Sequence, residues 1–182
     1  MEPYPIEIPR LFHSVQHNGL FQQCYGCERD LLREQIPYAV AKHMVVAEPV
    51  FEMAVCLQCV SSLQSQETQQ RISDFLASLN LKSDFDPQTY TWEDGLRACL
   101  ICRKARELCR RYQILGVCLS RELLVGAPPA PSPYLICDEC NAQLSELLSK
   151  ETKDNWDRFL ELHSDDPPGT ELDSPRFDPV FV

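Results

Sequence analysis

The chain has 182 residues, is 44% apolar, and sets 27 acidic against 17 basic side chains for a net charge of −10. That length allows one medium domain or two small ones, and no run approaches the roughly 18 apolar residues that a membrane span needs. An acidic field of this size opposes nonspecific binding to phosphate backbones and favours encounter with a basic partner surface.

The opening MEPYPIEIPR lacks the basic and apolar regions of a secretory signal, which makes the cytoplasm the expected compartment. Paired cysteines there hold metal more often than they form disulfides. Residues 1–20 read as an N-terminal extension, in which His13 and His17 would share a helical face as surface or packing groups. Cys24 and Cys27 follow, then two strand-like runs, Tyr38 to Val46 and Val50 to Val55, broken at Ala47, Glu48 and Pro49. Cys56 and Cys59 come next, with a short helical turn expected from Cys59. Ile72, Phe75, Leu76 and Leu79 then recur at helical spacing behind an N-cap at Ser65.

Residues 80–95 read as a polar, turn-rich linker. Cys99 and Cys102 open the second half, inside the main basic cluster of the chain: Arg97, Arg103, Lys104, Arg106, Arg110 and Arg111. This cluster is a candidate anion or nucleic-acid patch, set against the readings of a solvated helix face and of a patch that docks the acidic tail. Cys109, among these cations, is a candidate reactive thiol whose pKa they would lower, against the reading of an ordinary thiol near a helix face. Cys118 in ILGVCL reads as a small buried hydrophobe. Strand-like Ile114 to Val125 and Tyr134 to Ile136 flank the breaker run GAPPAPSP. Cys137 and Cys140 follow, with a short helical turn from Cys140. A helix capped by Ser149 then carries Trp156, Phe159, Leu160 and His163 on one face. Residues 164–182 form an acidic, proline-bearing tail with one basic and five acidic groups, ending in Phe177, Val180, Phe181 and Val182 as a candidate partner-docking segment.

Each half reads C-x2-C, about 30 residues, C-x2-C, the layout of a closed four-thiolate metal site. The expected ligands are Cys24, Cys27, Cys56 and Cys59 in one site and Cys99, Cys102, Cys137 and Cys140 in the other. Four thiolates suit Zn2+, which is borderline soft and accepts tetrahedral sulfur, and a closed shell makes each of the two ions structural. Rubredoxin-like iron is the minor alternative. An iron–sulfur cluster, a thioredoxin-like redox pair, plain core packing of the cysteines and RING-type crossed ligand pairing are the weaker readings. Small units of this kind often lack enough core to fold without such a staple.

The halves match beyond their cysteines. Ser65/Ser149, Glu67/Glu151, Thr68/Thr152, Phe75/Phe159 and Leu76/Leu160 coincide at one offset, which points to internal duplication. The order knuckle, β-hairpin, knuckle, helix resembles the treble-clef or zinc-ribbon-like zinc finger superfamily over residues 21–79 and 96–163. The expected fold is therefore α+β, two tandem treble-clef-like zinc-binding units, packed through their strands and the Phe75/Phe159 helices. No catalytic triad, phosphate-cradling glycine loop or HExxH occurs. The expected function is protein–protein interaction, as an adaptor, accessory factor or immunity-type inhibitor of a basic partner. The alternatives are a nucleic-acid-binding regulator using residues 97–111 and a thiol-dependent redox enzyme using Cys109.

Overall fold

The computed structural model describes residues 3–79, 90–126 and 132–163. Along them run β1 (Tyr4–Glu7), β2 (Pro37–Val45), β3 (Glu48–Cys56), α1 (Leu57–Leu63) and α2 (Gln66–Ser78). After these come β4 (Arg111–Leu119), β5 (Glu122–Val125), β6 (Tyr134–Cys137), α3 (Asp138–Leu147) and α4 (Lys150–His163). The architecture is mixed α+β, four helices with one six-stranded antiparallel sheet in the order β1-β5-β4-β2-β3, and β6 also beside β4.

β2 and β4 pair along their whole lengths, from Pro37 opposite Leu119 to Val45 opposite Arg111, with Ala41 opposite Leu115 at the midpoint. Both strands are buried through their middles, as their runs of apolar and β-branched residues require. On the far side of β2, β3 pairs from Tyr38 opposite Cys56 to Val45 opposite Glu48. On the far side of β4 the same position is shared: β6 takes Tyr112 opposite Cys137 through Leu115 opposite Tyr134, and β5 takes Val117 through Leu119. Each hairpin thus sets a tyrosine opposite the cysteine that closes it.

Several expectations need correction. The first hairpin turns at Val46 and Ala47 alone, both at positive φ (49° and 69°), so Glu48 and Pro49 belong to β3. Pro49 is tolerated because β3 is an edge strand and the ladder is irregular beside it, between His43 and Met44. The short helices start earlier than Cys59 and Cys140, directly after Cys56 and Cys137, which occupy the N-cap positions. His13 and His17 do not share a helix: the segment makes a 3-10 turn at Arg10–Phe12, then a tight bridge of Ser14 to Gly19. Residues 3–20 are integral to the sheet, with β1 paired to β5 and Phe12 fully buried. Tyr90 to Gly95, the described end of the segment that the sequence gives as linker, lies against the second half: the Tyr90 hydroxyl donates to the Pro133 carbonyl at 3.4 Å, and a Cβ on Gly95 would run into that same oxygen.

The amphipathic helices form as their periodicity implies. Ile72 and Leu76 of α2 and Trp156 and Phe159 of α4 are buried. The Ser65 and Ser149 hydroxyls accept from the Thr68 and Thr152 N–H groups, both at 3.2 Å. The two helix starts then trade partners. Ser65 N–H donates to the Thr152 hydroxyl at 2.9 Å, and Ser149 N–H donates to the Thr68 hydroxyl at 2.8 Å. The serine hydroxyls lie 2.8 Å apart, as do the threonine hydroxyls. Orphan N–H donors at each helix start are therefore satisfied by the other helix. Beyond this junction α4 packs on α1 and α2 packs on α3, so each long helix lies against the other half.

Candidate metal centres

Each Cys-x-x-Cys pair before a hairpin sits on a tight turn closed by backbone hydrogen bonds. Cys24 N–H donates to the Arg29 carbonyl and Glu28 N–H to the Cys24 carbonyl, both at 2.9 Å. Cys99 N–H donates to Lys104 at 2.8 Å and Arg103 N–H to Cys99 at 3.0 Å. Glu28 and Arg103 hold the same left-handed φ of 61°. Flanking bridges, Gln23 to Asp30 and Ala98 to Ala105, close the two turns. Each turn is laid on the hairpin by one further bond, Tyr25 N–H to Ala54 at 2.8 Å and Leu100 N–H to Leu135 at 2.7 Å. The second pair of each half comes from the end of β3 or β6 and the first turn of α1 or α3.

These elements bring Cys24, Cys27, Cys56 and Cys59 together, and likewise Cys99, Cys102, Cys137 and Cys140, with all ligand atoms of a group within 4.8 Å of one another. The groups are sequential, not crossed. All ten cysteines are free thiols. Sulfurs at the corners of a tetrahedron with bonds of about 2.3 Å stand roughly 3.8 Å apart. The pairs Cys24/Cys59, Cys27/Cys56 and Cys102/Cys137 stand at 3.9, 3.8 and 3.6 Å. That spacing is far too long for a disulfide and fits a single ion in each group, with zinc compatible.

The backbone prepares the sulfurs for charge. Cys24 Sγ accepts from the N–H groups of Gly26 at 3.4 Å and Cys56 at 3.2 Å, and Cys99 Sγ accepts from Cys137 N–H at 3.4 Å. Burial alone would push the Cys24 thiol up, but N–H donors from Cys56, Cys27 and Gly26 outweigh it and its pKa is lowered. Cys59 and Cys140 are pushed up, first by burial and then by neighbouring sulfurs. Cys27 and Cys102 are the exposed members of their groups.

The first centre is roofed by the second half. The Tyr25 hydroxyl donates to the His163 carbonyl at 2.5 Å, and its ring lies 5.8 Å from that of Phe159. A Cβ on Gly26 would meet Phe159 Cε2 at 2.6 Å and Cys59 Sγ at 3.3 Å, so a larger residue there would have to displace that ring. Asn155 Nδ2 of α4 donates to the Leu63 carbonyl of α1 at 3.3 Å. None of Tyr25, Gly26 or Asn155 stands out in the sequence; the sole hint is the repeated spacing of Phe75 and Phe159.

The basic residues do not share a helix. Arg97 lies before the third knuckle turn, Arg103 and Lys104 close it, Arg106 opens a 3-10 turn, and Arg110 and Arg111 lead into β4. The knuckle bridge of Ala98 to Ala105 and the Arg106 N–H bond to the Arg97 carbonyl at 2.8 Å hold this stretch as a loop. Arg97 is ion-paired with Asp94 at 3.1 Å and Lys104 with Glu139 at 3.1 Å. Cys109 is buried, its thiol donates to the Ala105 carbonyl at 3.4 Å, and its pKa is raised, chiefly by burial, which outweighs the pull of Lys104. Cys118 is fully buried beside Tyr38, its thiol pushed up to about 12 by burial. Phe177, Val180, Phe181 and Val182 lie outside the described residues. Among the described residues no helix is long and apolar enough to cross a membrane. Comparison with protein-family models, curated proteins and solved structures gives no match for this chain.

Proposed function

We propose that the chain is a zinc-stabilised protein–protein interaction protein built of two treble-clef-like units that arose by internal duplication. Its two Zn2+ ions are structural, and it works as an adaptor, accessory factor or immunity-type inhibitor. The observation that carries this reading is the pair of closed four-thiol groups. Four protein sulfurs fill a tetrahedral shell and leave no position for water or substrate, so the ions shape a surface rather than react. Duplication is supported by equal φ at Glu28 and Arg103, matching tyrosine–cysteine registers in the two hairpins, and the reciprocal Ser65/Ser149 and Thr68/Thr152 contacts. A basic partner suits the net charge of −10.

The alternatives draw less support. Arg97 and Lys104 of the 97–111 cluster are already in ion pairs, and Cys109 is buried with a raised pKa. Element analysis of the purified chain tests the metal, with two zinc ions per chain expected. Affinity capture with the intact chain, with zinc-stripped chain and with Phe177, Val180, Phe181 and Val182 changed to serine tests the interaction. A partner recovered equally by all three would remove the reading.

A further inference from the structure

Two carboxamides are buried in the second half with polar atoms that the fold does not pair. Gln113 of β4 is 1% exposed and Asn141 of α3 is 9% exposed. Gln113 Nε2, Gln113 Oε1 and Asn141 Oδ1 have no hydrogen-bond partner among the described residues. A buried polar atom in that position carries its desolvation cost without return.

The two side chains belong to one place. Gln113 stands directly opposite His43 of β2, so both project from the same face of the sheet. Burial lowers the His43 pKa, and Asp138 and Arg111 act on it in opposite directions, so its ring stands near the start of α3, whose first residue is Asp138. Asn141 follows Asp138 by one turn on the same side of that helix, and α3 packs on β4. The amides therefore meet between β4 and the first turns of α3. Ile136, opposite Gln113, and Leu144, one turn beyond Asn141, are fully buried and apolar. A few placed polar groups in an apolar surround are how small-molecule sites orient a ligand.

The first half fills the corresponding junction without amides. The residue after the hairpin tyrosine is Gln113 in one half and Ala39 in the other, and the residue after the last cysteine of each group is Asn141 in one and Val60 in the other. Ala39 and Val60 are buried, and α1 packs on β2 as α3 packs on β4. The backbone plan is thus completed by an apolar pair where recognition is not asked of it.

The unpaired atoms define their complement. Gln113 offers a donor beside an acceptor, and Asn141 Oδ1 adds a second acceptor. A primary carboxamide answers all three: its carbonyl accepts from Gln113 Nε2, and its two N–H groups donate to Gln113 Oε1 and Asn141 Oδ1. Asp138 and Arg111 bring opposite charges to the rim, which suits an uncharged ligand. We infer that the junction of β4 and α3 is a binding site for a small uncharged molecule bearing a primary carboxamide, read by Gln113 and Asn141. This assignment is independent of which metal the thiol groups hold and of which protein the chain meets.

Acetamide is the probe. It is titrated into the full-length protein while the side-chain NH2 resonances of Gln113 and Asn141 are followed by two-dimensional NMR. Saturable shifts are expected, with a Kd on the order of 1–10 mM, the range open to so small a ligand. N,N-dimethylacetamide, which cannot donate, should give none. Gln113→Met and Asn141→Leu introduce apolar side chains of similar size. Each should weaken acetamide binding about tenfold or more, read at neighbouring backbone amides, and leave the guanidinium unfolding midpoint unchanged or higher. Failure to saturate with acetamide, or an equal response to dimethylacetamide, would overturn the proposal. A midpoint lowered in either variant would do the same, because the amides would then be holding the fold. So would acetamide-soaked crystals with ordered water alone between Gln113 and Asn141.

Discussion

The two halves use one backbone plan around their cysteines and part company elsewhere. The first hairpin is continuous, β2 to β3 through two residues; the second splits its return arm into β5 and β6 around residues 126–133. The sharper difference lies four residues beyond each hairpin tyrosine. After Tyr38 comes Lys42; after Tyr112 comes Gly116. Lys42 is buried, its ammonium 3.0 Å from the Glu52 carboxylate and donating to the His13 carbonyl. Gly116 leaves room for Phe12, whose Cε1 would stand 2.9 Å from an added Cβ. One N-terminal strap crosses the sheet and lays adjacent residues, Phe12 and His13, on corresponding positions of the two halves. The two halves thus differ where a single segment must serve both.

The largest test of the likeness is metal. Structural zinc is worth on the order of 10 kcal/mol in small finger peptides. Cys59→Ser and Cys140→Ser should each abolish cooperative unfolding of the whole chain, as strong chelator should, because α4 of the second half roofs the first centre and α2 of the first half packs on α3, which carries Cys140. Two separate calorimetric transitions, one lost per variant, would show that the halves are independent.

The Lys42–Glu52 pair tests the unlikeness. Lys42→Met should cost about 3 kcal/mol in denaturant unfolding by leaving a mostly buried carboxylate without its cation. Burial opposes the Glu52 charge, but the Ser14 hydroxyl, Val15 N–H, Lys42 and Gln16 N–H outweigh it, and its pKa is lowered from the ordinary 4.5. A carboxylate depressed on folding contributes stability above its unfolded value and loses it as pH falls through the folded one. The stability gap between wild type and Glu52→Gln should therefore be full near pH 6 and shrink below about pH 4.5.

The cap exchange should behave identically from either side. Thr68→Val and Thr152→Val each leave a buried N–H of the opposite helix without its acceptor, at about 1–3 kcal/mol. The double variant should be less than additive by roughly 1 kcal/mol, measured by a double-mutant cycle. The smallest expected effect is at the knuckles. Glu28→Gly and Arg103→Gly relieve a left-handed conformation and should stabilise by about 0.5–1 kcal/mol each, equally in both halves.

Local chemistry in this chain was legible from sequence, and long-range pairing was not. Cysteine spacing brought to notice the eight thiols that the fold gathers into two groups, and the Ile72/Leu76 and Trp156/Phe159 periodicities located α2 and α4 to within a residue or two. Tyr4 to Glu7 carries little strand signal in sequence, since prolines at 3, 5 and 9 interrupt it, although an edge strand tolerates proline. Val46 and Ala47 turn a hairpin without the glycine or asparagine that such turns usually advertise. The coincidence of Thr68 with Thr152 was visible as a repeat. That each hydroxyl serves the other's helix depends on the docking of segments more than 80 residues apart, which no local pattern encodes.

The bond from Tyr25 to His163 spans 138 residues and imposes an order on biogenesis. The ribosome releases Cys59 about 100 residues before His163, an interval of roughly 5–20 s at ordinary elongation rates. Throughout it the first thiol group waits without its roof, open to whatever metal or oxidant the nascent chain meets.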